Sequence, residues 1–427
     1  MVGFLVGLIS LVVTNGAVAT PDLDRFDPDI YPAIDVSHNP PVIARADENV
    51  RLAFTFACGF ALPNQQRCLP SATLFTAYGD SQFTPVALAE ENHDSLRVLA
   101  ATVPAADASG QPLRYYLDVT EATTSVQGRH PAVGAIEPLV AADLTPVRLG
   151  ASTAATAESY LHLGWGTAPS QVGVERHVEQ ATMAPDSFDV APNGTIALLD
   201  HINQRVVVTN PARGSFHTFG APLKGVGDVA IDADGTITVL DLVGERTGES
   251  KARVPQVHRF DAQGKKLGSA TVYASRPTGL TASRSVNDLL DNREVQALKA
   301  DARAATREEQ RQSRSRAAYL VKFLDANHAR LADTQRNLTF DVTSSETLGA
   351  IAYFGRTAQG YVAVFEDTSL RVVWFDAKGT VIKDVLAPNQ QASTFNPNGR
   401  VAVDQQGNVY ILGSTDTGIE VSRVAAR

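Results

Sequence analysis

The most regular polar feature of the sequence is an acidic residue five positions before an arginine. It occurs three times, as Asp200 and Arg205, Asp241 and Arg246, and Glu366 and Arg371. A carboxylate and a guanidinium that face each other across a hairpin can form two parallel hydrogen bonds. Each pair is therefore predicted to fix the turn between two strands, either by such a bidentate pair or by side-chain-to-backbone bonds. The alternative is that these turns gather at one edge of the fold and line a binding site there.

Metal and cofactor chemistry has little support in the sequence. No two of the nine histidines have the H-x-x-x-H spacing. The DADG stretch at 232–235 begins like a calcium loop, but Val243 stands where the twelfth-position acid is required, so a hairpin turn is predicted. The chain has no G-x-S-x-G motif and no phosphate-binding glycine loop. We therefore predict no cofactor and no metal, while a site assembled from distant residues stays open.

A basic stripe lies at about 292–316, in a segment without Gly or Pro. The segment is rich in helix-forming residues and is predicted to be a helix. Arg303, Arg307 and Arg311 follow one another at four-residue steps, so they share one face of that helix. The stripe is predicted either to be a solvated surface or to bind an acidic protein or an anionic glycan.

Charge and composition exclude several classes of protein. The 427 residues include 37 Lys and Arg against 46 Asp and Glu, which gives a formal net charge of −9. Such a surface repels phosphate backbones, so no nucleic-acid partner is expected. A hydrophobic content of 44% excludes a mostly disordered chain.

The N-terminus has the pattern of a secretory signal peptide at 1–19. Residues Val2–Val13 are almost wholly apolar and Ala17–Ala19 follow, although no Lys or Arg precedes them. The run is too short to cross a bilayer. We expect a secreted, periplasmic or cell-surface protein with no membrane span after signal removal; a weak uncleaved anchor is the alternative. In that compartment Cys58 and Cys68, the two cysteines, are predicted to form a disulfide.

Residues 40–126 are predicted to form a β-sandwich. Apolar residues alternate with polar ones along its strands, as they do at Val50, Leu52, Phe54 and Phe56. The string RYYLDVTEA at Arg114–Ala122 resembles a late strand of immunoglobulin or fibronectin type III domains. The Ala-, Thr- and Pro-rich residues 127–158 are predicted to be a linker laid partly along the next domain.

Residues 159–427 carry an internal repeat that predicts a β-propeller. Apolar strands flank the turns Asn193-Gly194, Asp234-Gly235, Gln359-Gly360 and Gln406-Gly407. A second turn follows, in TNPARG, FDAQG, LDANH and FDAKG. Two hairpins make a four-stranded unit, and spacings of 41 and 47 residues between glycines match propeller blades. The fold class is all-β, with five or six blades and one helical insertion.

The last repeat stops after its third strand, at Val421–Val424. Tyr160–Trp165, which precede the first repeat, are predicted to supply the missing outer strand. Such pairing joins the two ends of the propeller and removes two exposed sheet edges.

The first repeat, Pro185–Val208, resembles an NHL repeat. The matching residues are Asp200, Asn203, Arg205 and Val206. The fifth repeat departs from the pattern, with Gly413 in place of the Asp. The resemblance implies a propeller. Because NHL-like propellers are similar to some metal-dependent lyases and to lactone or ester hydrolases, the resemblance implies no single function.

These patterns predict an exported, non-catalytic recognition or scaffold protein that binds a protein or a glycan through the propeller face. The candidate binding residues are Asp200, His201, Arg205, Asp241, Arg246, Glu366, Arg371, Arg303, Arg307 and Arg311. The alternative is a propeller enzyme, a metal-dependent lyase or a lactone or ester hydrolase, with its site at the mouth of the central channel. That alternative requires His201 or His162 to meet two or more acids near the ring axis.

Overall fold

The fold is given by a computed structural model. The described residues are 34–38, 41, 43–58, 70–93, 96–121, 127–130, 135–176, 183–185, 187–221, 223, 227–246, 253–271, 319–387 and 400–427. Outside them lie the predicted signal peptide, the predicted helix with Arg303, Arg307 and Arg311, and Cys68, the predicted partner of Cys58. In the described part, no helix is long and apolar enough to cross a membrane.

An N-terminal β-sandwich is built from two four-stranded sheets. The first nine strands are β1 (Ile34–His38), β2 (Ile43–Arg45), β3 (Asn49–Cys58), β4 (Pro70–Tyr78), β5 (Thr84–Val86), β6 (Ala89–His93), β7 (Leu96–Pro104), β8 (Leu113–Glu121) and β9 (Gln127–His130). One sheet has the order β1-β3-β7-β6 and the other β5-β4-β8-β9, so the sandwich extends beyond the predicted limits of 40 and 126. Because side chains alternate along strands, Leu52, Phe54 and Leu117 meet in one buried core.

A buried histidine ties the edge strand β1 into this core. His38 Nδ1 donates to the carbonyl oxygen of Ala53 at 2.8 Å, and its Nε2 accepts from the Tyr115 hydroxyl at 2.7 Å. The imidazole also stacks on Phe54. Burial is the main cause that lowers the pKa of His38 to about 4. The ring is therefore neutral at pH 7, and its tautomer with the proton on Nδ1 makes both bonds.

Five further sheets follow, and each is one blade of a propeller; β10 (Leu139–Ala141) lies outside them, in a two-stranded sheet with β2. The strands of the blades are β11 (Thr145–Leu149), β12 (Thr153–Ala154), β13 (Glu158–Trp165), β14 (Gln171–Val172), β15 (Ser187–Val190), β16 (Ile196–Asp200), β17 (Arg205–Asn210), β18 (Ser215–Gly220), β19 (Gly227–Ile231), β20 (Ile237–Arg246), β21 (Arg253–Phe260), β22 (Lys266–Thr271), β23 (Tyr319–Asp325), β24 (His328–Asp333), β25 (Leu338–Ser344), β26 (Ala350–Thr357), β27 (Gly360–Glu366), β28 (Leu370–Phe375), β29 (Val381–Ala387), β30 (Val401–Val403), β31 (Val409–Ser414) and β32 (Gly418–Val424). Blade I consists of β15–β18, blade II of β19–β22, blade III of β23–β25, blade IV of β26–β29 and blade V of β30–β32, each with added strands where stated below.

The blades pack because their strands are apolar on both faces. In β16, Ile196 and Leu198 pack toward blade V, whereas Ala197 and Leu199 pack toward blade II. Successive side chains of a strand point to opposite faces, so a continuous apolar run serves two interfaces at once. Four such buried clusters join blades III to IV, IV to V, V to I and I to II.

The first hairpin of the repeat is closed by glycines with a left-handed backbone. Gly194, Gly235 and Gly407 have φ of +80°, +85° and +88°, a region that side chains with a Cβ rarely occupy. In the DADG stretch, Gly235 N donates to the carbonyl oxygen of Asp232 at 3.0 Å, and Thr236 N donates to Asp234 Oδ1 at 2.8 Å. This stretch is the hairpin turn that the sequence predicts.

A rim segment, residues 139–173, runs from the sandwich along the outer edges of blades III, IV and V. β10 pairs in parallel with β2. β11 then pairs in parallel with β25, and β12 with β29. Much of the region predicted to be a linker is thus paired with sheets of both domains. Each added strand bonds backbone groups that the edge strand of a blade would otherwise leave open.

The end of the rim segment completes blade V. β13 pairs antiparallel with β32, with Leu163 opposite Ile419 and Glu158 opposite Arg423. β14 adds a parallel strand beyond β13. The prediction that Tyr160–Trp165 supply the outer strand of the last blade is confirmed.

Blade III differs from the repeat predicted for it. LDANH at Leu324–His328 is predicted to be the counterpart of FDAKG, but the two turns lie at opposite ends of their blades. Leu348 N donates to the carbonyl oxygen of Ala326 at 2.8 Å, and Ser344 Oγ accepts from Arg371 at the start of β28, whereas FDAKG begins at the end of β28. β25 is therefore a fourth strand, and the described residues contain no first strand for this blade. The sequence of a short turn motif does not show which of the hairpins in a blade it closes.

Candidate functional site

Asp200 and Arg205 bracket the turn between β16 and β17 in blade I. They are directly opposite each other, and Asp200 has no exposed surface. Arg205 Nε donates to Asp200 Oδ2 at 2.9 Å. Asp200 also accepts from Gly173 N at 3.1 Å and from Asn203, through its backbone N–H at 3.3 Å and its side-chain amide at 2.8 Å. Two donors reach each carboxylate oxygen, which uses its acceptor capacity.

Arg205 also holds the end of the rim segment. Its Nη1 donates to the carbonyl oxygen of Thr167 at 3.1 Å, and its Nη2 donates to those of Ala168 at 3.0 Å and Gln171 at 2.7 Å. One guanidinium therefore bonds to a carboxylate and to three carbonyl oxygens around the β13–β14 turn. These contacts fix that turn against blade I.

The same spacing gives a different arrangement in blade II. β20 continues to Arg246, so Asp241 lies within the strand, opposite Gln256 on β21. Arg246 is opposite Arg253 near the ends of the two strands. The prediction that Asp241 and Arg246 face each other across a hairpin is wrong, because both lie on one extended strand.

Glu366 and Arg371 bracket the turn between β27 and β28 in blade IV, but they do not bond to each other. Glu366 is opposite Leu370 across the hairpin, so the next residue, Arg371, leaves the sheet on the other face. Glu366 pairs instead with Arg400 at the start of blade V. Arg371 forms a bidentate pair with Asp384 of β29, with Nε to Oδ1 at 2.9 Å and Nη2 to Oδ2 at 2.6 Å. The predicted Glu366–Arg371 pair is therefore wrong.

Arg371 also binds the rim segment. Its side chain is 4% exposed. Its Nη2 donates to the carbonyl oxygen of Gly150 at 2.7 Å, between β11 and β12, and its Nη1 donates to Ser344 Oγ of blade III at 2.8 Å. One buried guanidinium thus joins blade IV, blade III and the rim segment.

The two histidines of the enzyme alternative lie in different places. His201 follows Asp200 in the blade I turn; burial lowers its pKa, while nearby Asp200 and Glu175 oppose that shift. His162 lies on β13, opposite Glu420, on the outer side of blade V and not on an innermost strand. Across the described ranges, no group of three His, Cys, Asp or Glu side chains is placed to hold a metal ion.

Buried polar side chains brace the junction of the innermost strands β15 and β19. Ser187 Oγ donates to Asp228, and Asp189 Oδ2 accepts from Ile231 N at 2.9 Å. Sequence reasoning did not select these residues. The signal that could have found them is an aspartate inside an otherwise apolar strand, in SFDV and GDVAI.

An ion pair between the sandwich and blade III was also not found from the sequence. Arg330 Nη1 and Nη2 donate to the two carboxylate oxygens of Glu48, each at 2.7 Å. Lys322 Nζ donates to the carbonyl oxygen of Ile43 at 3.3 Å. The bonds from Arg330 are the main cause that lowers the pKa of Glu48 to about 2. No local sequence motif predicts this ion pair, because 282 positions separate Glu48 from Arg330.

Comparison with known proteins adds no functional assignment. No protein-family model matches the chain, and no curated protein matches it. Among solved structures, a protein of unknown function from Bacteroides thetaiotaomicron is 10% identical, with 92% of this chain and 98% of that chain covered and a TM-score of 0.25. A calcium-binding protein, regucalcin, from Agrobacterium tumefaciens is 10% identical over 66% and 97%, with a TM-score of 0.25. BamB from Moraxella catarrhalis is 9% identical over 72% and 91%, with a TM-score of 0.19.

The sheets and contacts define the class of protein. The chain is all-β, with an N-terminal sandwich followed by a β-propeller of which five blades are described. The rim segment and the Glu48–Arg330 pair join the two domains. Within blades I and IV, Arg205 and Arg371 serve this framework.

Proposed function

We propose that the chain is an exported, non-catalytic recognition or scaffold protein that binds a protein or a glycan through the propeller face. The observation that carries the proposal is the saturation of Asp200 by protein hydrogen bonds. A catalytic carboxylate needs an oxygen that can take a proton or bind a metal ion. Arg205 and Arg371 are likewise bonded to protein groups. We therefore assign these residues to holding the propeller face in place as a binding surface.

A rigid two-domain surface suits recognition. The sandwich is held to the propeller by the β2–β10 pairing and by the bidentate Arg330–Glu48 contact. A binding surface that is already ordered loses less conformational entropy when a partner binds. This rigidity supports the proposal of a recognition or scaffold role.

The finer assignments belong to the same proposal. The sandwich order β1-β3-β7-β6 and β5-β4-β8-β9 corresponds to the ABED and C′CFG sheets of an immunoglobulin-like domain. The NHL-like reading of blade I is supported by Asn203, whose side-chain amide bonds both to Asp200 and to the carbonyl oxygen of Gly166 at 3.1 Å. Signal removal at 1–19 and a Cys58–Cys68 disulfide complete the proposed exported protein.

The proposed contact for an acidic protein or an anionic glycan is the basic stripe of Arg303, Arg307 and Arg311. The probe is immobilised heparin, and the measurement is the salt concentration that elutes the intact protein. Reversing the three arginines to Glu is expected to abolish retention at physiological salt. Each arginine that contacts a heparin sulfate releases counterions and so strengthens binding, and the variant loses these contributions.

The matched control reverses three exposed basic residues of blades I and II, Arg213, Lys265 and Lys266, which makes the same change in net charge. Retention that survives in the stripe variant, or that falls equally in the control, contradicts the assignment. Elemental analysis tests the enzyme alternative separately. Stoichiometric zinc or calcium together with lactone or ester hydrolysis would overturn the non-catalytic proposal.

A further inference from the structure

The outer edges of the blades are covered in three cases and open in two. The rim segment adds β11 to β25 in blade III, β12 to β29 in blade IV, and β14 to β13 in blade V. Among the described strands, none pairs with the outer edge of β18 in blade I or of β22 in blade II. An open edge presents backbone groups that can pair with another chain, so natural proteins usually protect it.

The two open edges differ in their protection. β22 begins with Lys266 and has a register shift where it pairs with β21, and both features discourage pairing with another chain. β18 has the sequence SFHTFG, without a charged residue or a proline, and keeps an unbroken register with β17 over all six residues. Ser215, His217 and Gly220 of this strand are exposed. Blade I therefore has an unprotected, regular edge at the surface.

The register shows which backbone groups of β18 point away from blade I. Ala221 N donates to the carbonyl oxygen of Gln204 at 2.9 Å. These two residues lie just beyond the last opposed pair of β17 and β18, so that pair exchanges no hydrogen bonds of its own. Because such pairs alternate with hydrogen-bonded ones, Phe216, Thr218 and Gly220 turn their N–H and C=O groups outward. In the described part of the chain these outward groups have no hydrogen-bond partner.

The charge beside this edge is positive. Arg213 lies in the turn that leads into β18, and Lys265 lies in a turn of blade II that packs against β18, where a Cβ at Gly264 would collide with the Phe219 ring. Both basic side chains are exposed, whereas Asp261, the acid of the second turn, is half-buried. Two copies joined edge to edge at β18 would bring like charges together, while an acidic strand would be attracted.

We propose that β18 accepts an added strand from a partner protein, an extended segment that carries acidic side chains. The backbone of this segment bonds to the outward N–H and C=O groups of Phe216, Thr218 and Gly220. Its acidic residues lie near the basic side chains of the two turns. Because Arg205 holds the last turn of the rim segment against blade I, the added strand continues the series of covered edges. The proposal depends neither on the propeller face nor on the basic stripe.

The test begins with a library of short random peptides displayed on phage and selected on the intact protein. The peptide of highest affinity is expected to contain Asp or Glu and to lose its binding when these are replaced by Lys. Thr218→Pro is expected to weaken its binding by about tenfold or more, because proline removes an outward N–H and leaves the bonds between β18 and β17 in place. Thr218→Val keeps that N–H and should bind as wild type does.

The matched control is Ser269→Pro on β22, the outer strand of blade II, which should leave peptide binding unchanged. Amide hydrogen exchange of the wild-type protein then locates the peptide without any substitution. In the free protein, the N–H groups of Phe216 and Thr218 are expected to exchange faster than those of His217 and Phe219, which bond to β17. The bound peptide should slow exchange at Phe216 and Thr218 by about tenfold or more.

Several outcomes would overturn the proposal. They are the absence of any selected peptide, equal binding by Thr218→Pro and wild type, and unchanged exchange at Phe216 and Thr218 in the complex. Concentration-dependent dimerisation that Thr218→Pro abolishes would assign the edge to a second copy of this chain, and would overturn the assignment to a partner peptide.

Discussion

Blades I and IV carry the same acid-to-arginine spacing and use it in opposite ways. In blade I four residues separate strand ends that face each other, so Asp200 and Arg205 share one face of the hairpin. In blade IV the turn is one residue shorter, since Glu366 is opposite Leu370, and Arg371 therefore points to the other face. A single residue in a turn decides the face of every side chain that follows.

The two arginines nevertheless serve a common purpose. Arg205 donates to carbonyl oxygens at the end of the rim segment, and Arg371 donates to that of Gly150 near its middle. An arginine with several donors can satisfy the carbonyl oxygens of a chain that crosses a blade without pairing at that point. The position of the rim segment beside the turn, and not the spacing of the pair, accounts for both contacts.

The largest expected effect comes from removing the buried guanidinium of blade IV. Arg371→Met leaves Asp384 without its bidentate partner and opens the contact to Gly150. We expect the free energy of unfolding to fall by about 3 kcal/mol or more, because an uncompensated carboxylate stays largely buried. Urea denaturation of wild type and variant measures the change. A loss below about 1 kcal/mol contradicts the role given to Arg371.

Double-mutant cycles test the contrast between the two blades directly. Asp200→Asn with Arg205→Met is expected to show a coupling of about 1–2 kcal/mol, because the two side chains bond. Glu366→Gln with Arg371→Met is expected to be additive within about 0.5 kcal/mol, because each has a different partner. Equal couplings in the two blades would show that the faces have been assigned wrongly.

The smallest effect concerns Glu48, an acid that pairs with an arginine by tertiary contact alone. Its pKa of about 2 in the folded protein lies below the ordinary 4.5, so the unfolded chain takes up the proton first. The stabilisation from this pair is present above pH 4.5 and is lost as the pH falls toward 2. The difference in unfolding free energy between wild type and Glu48→Gln should therefore shrink over that range. Asp47→Asn, which changes a more exposed neighbouring acid, should show no such trend.

The parts of the fold that could be predicted are those encoded locally. The glycines Gly194, Gly235 and Gly407 predict the hairpins, because residues with a Cβ rarely adopt their left-handed backbone conformation. The pairing of β13 with β32 could also be predicted. The last repeat lacks an outer strand, and Tyr160–Trp165 form an apolar strand that belongs to no other repeat. Both signals lie within or beside the strands that they describe.

The parts that could not be predicted depend on residues brought together by the fold. Asp384, Gly150 and Ser344 meet at Arg371 although they lie on different strands and loops. The acid-to-arginine spacing predicts one partner for each arginine, but it contains no information about a chain that passes alongside. Blade II shows the same limit, since Thr238 and Arg259 lie opposite each other only through the register of β20 and β21.

The antiparallel register of β13 on β32 supports everything inferred for the rim segment, and a double-cysteine variant tests it most directly. Glu158→Cys with Arg423→Cys should form a disulfide under mild oxidation, read by mass spectrometry of the linked peptides, because these residues are directly opposite each other. Glu158→Cys with Glu420→Cys should not link, since Glu420 is opposite His162. Linkage of the second pair in preference to the first would contradict this register and, with it, the joining of the two ends of the propeller.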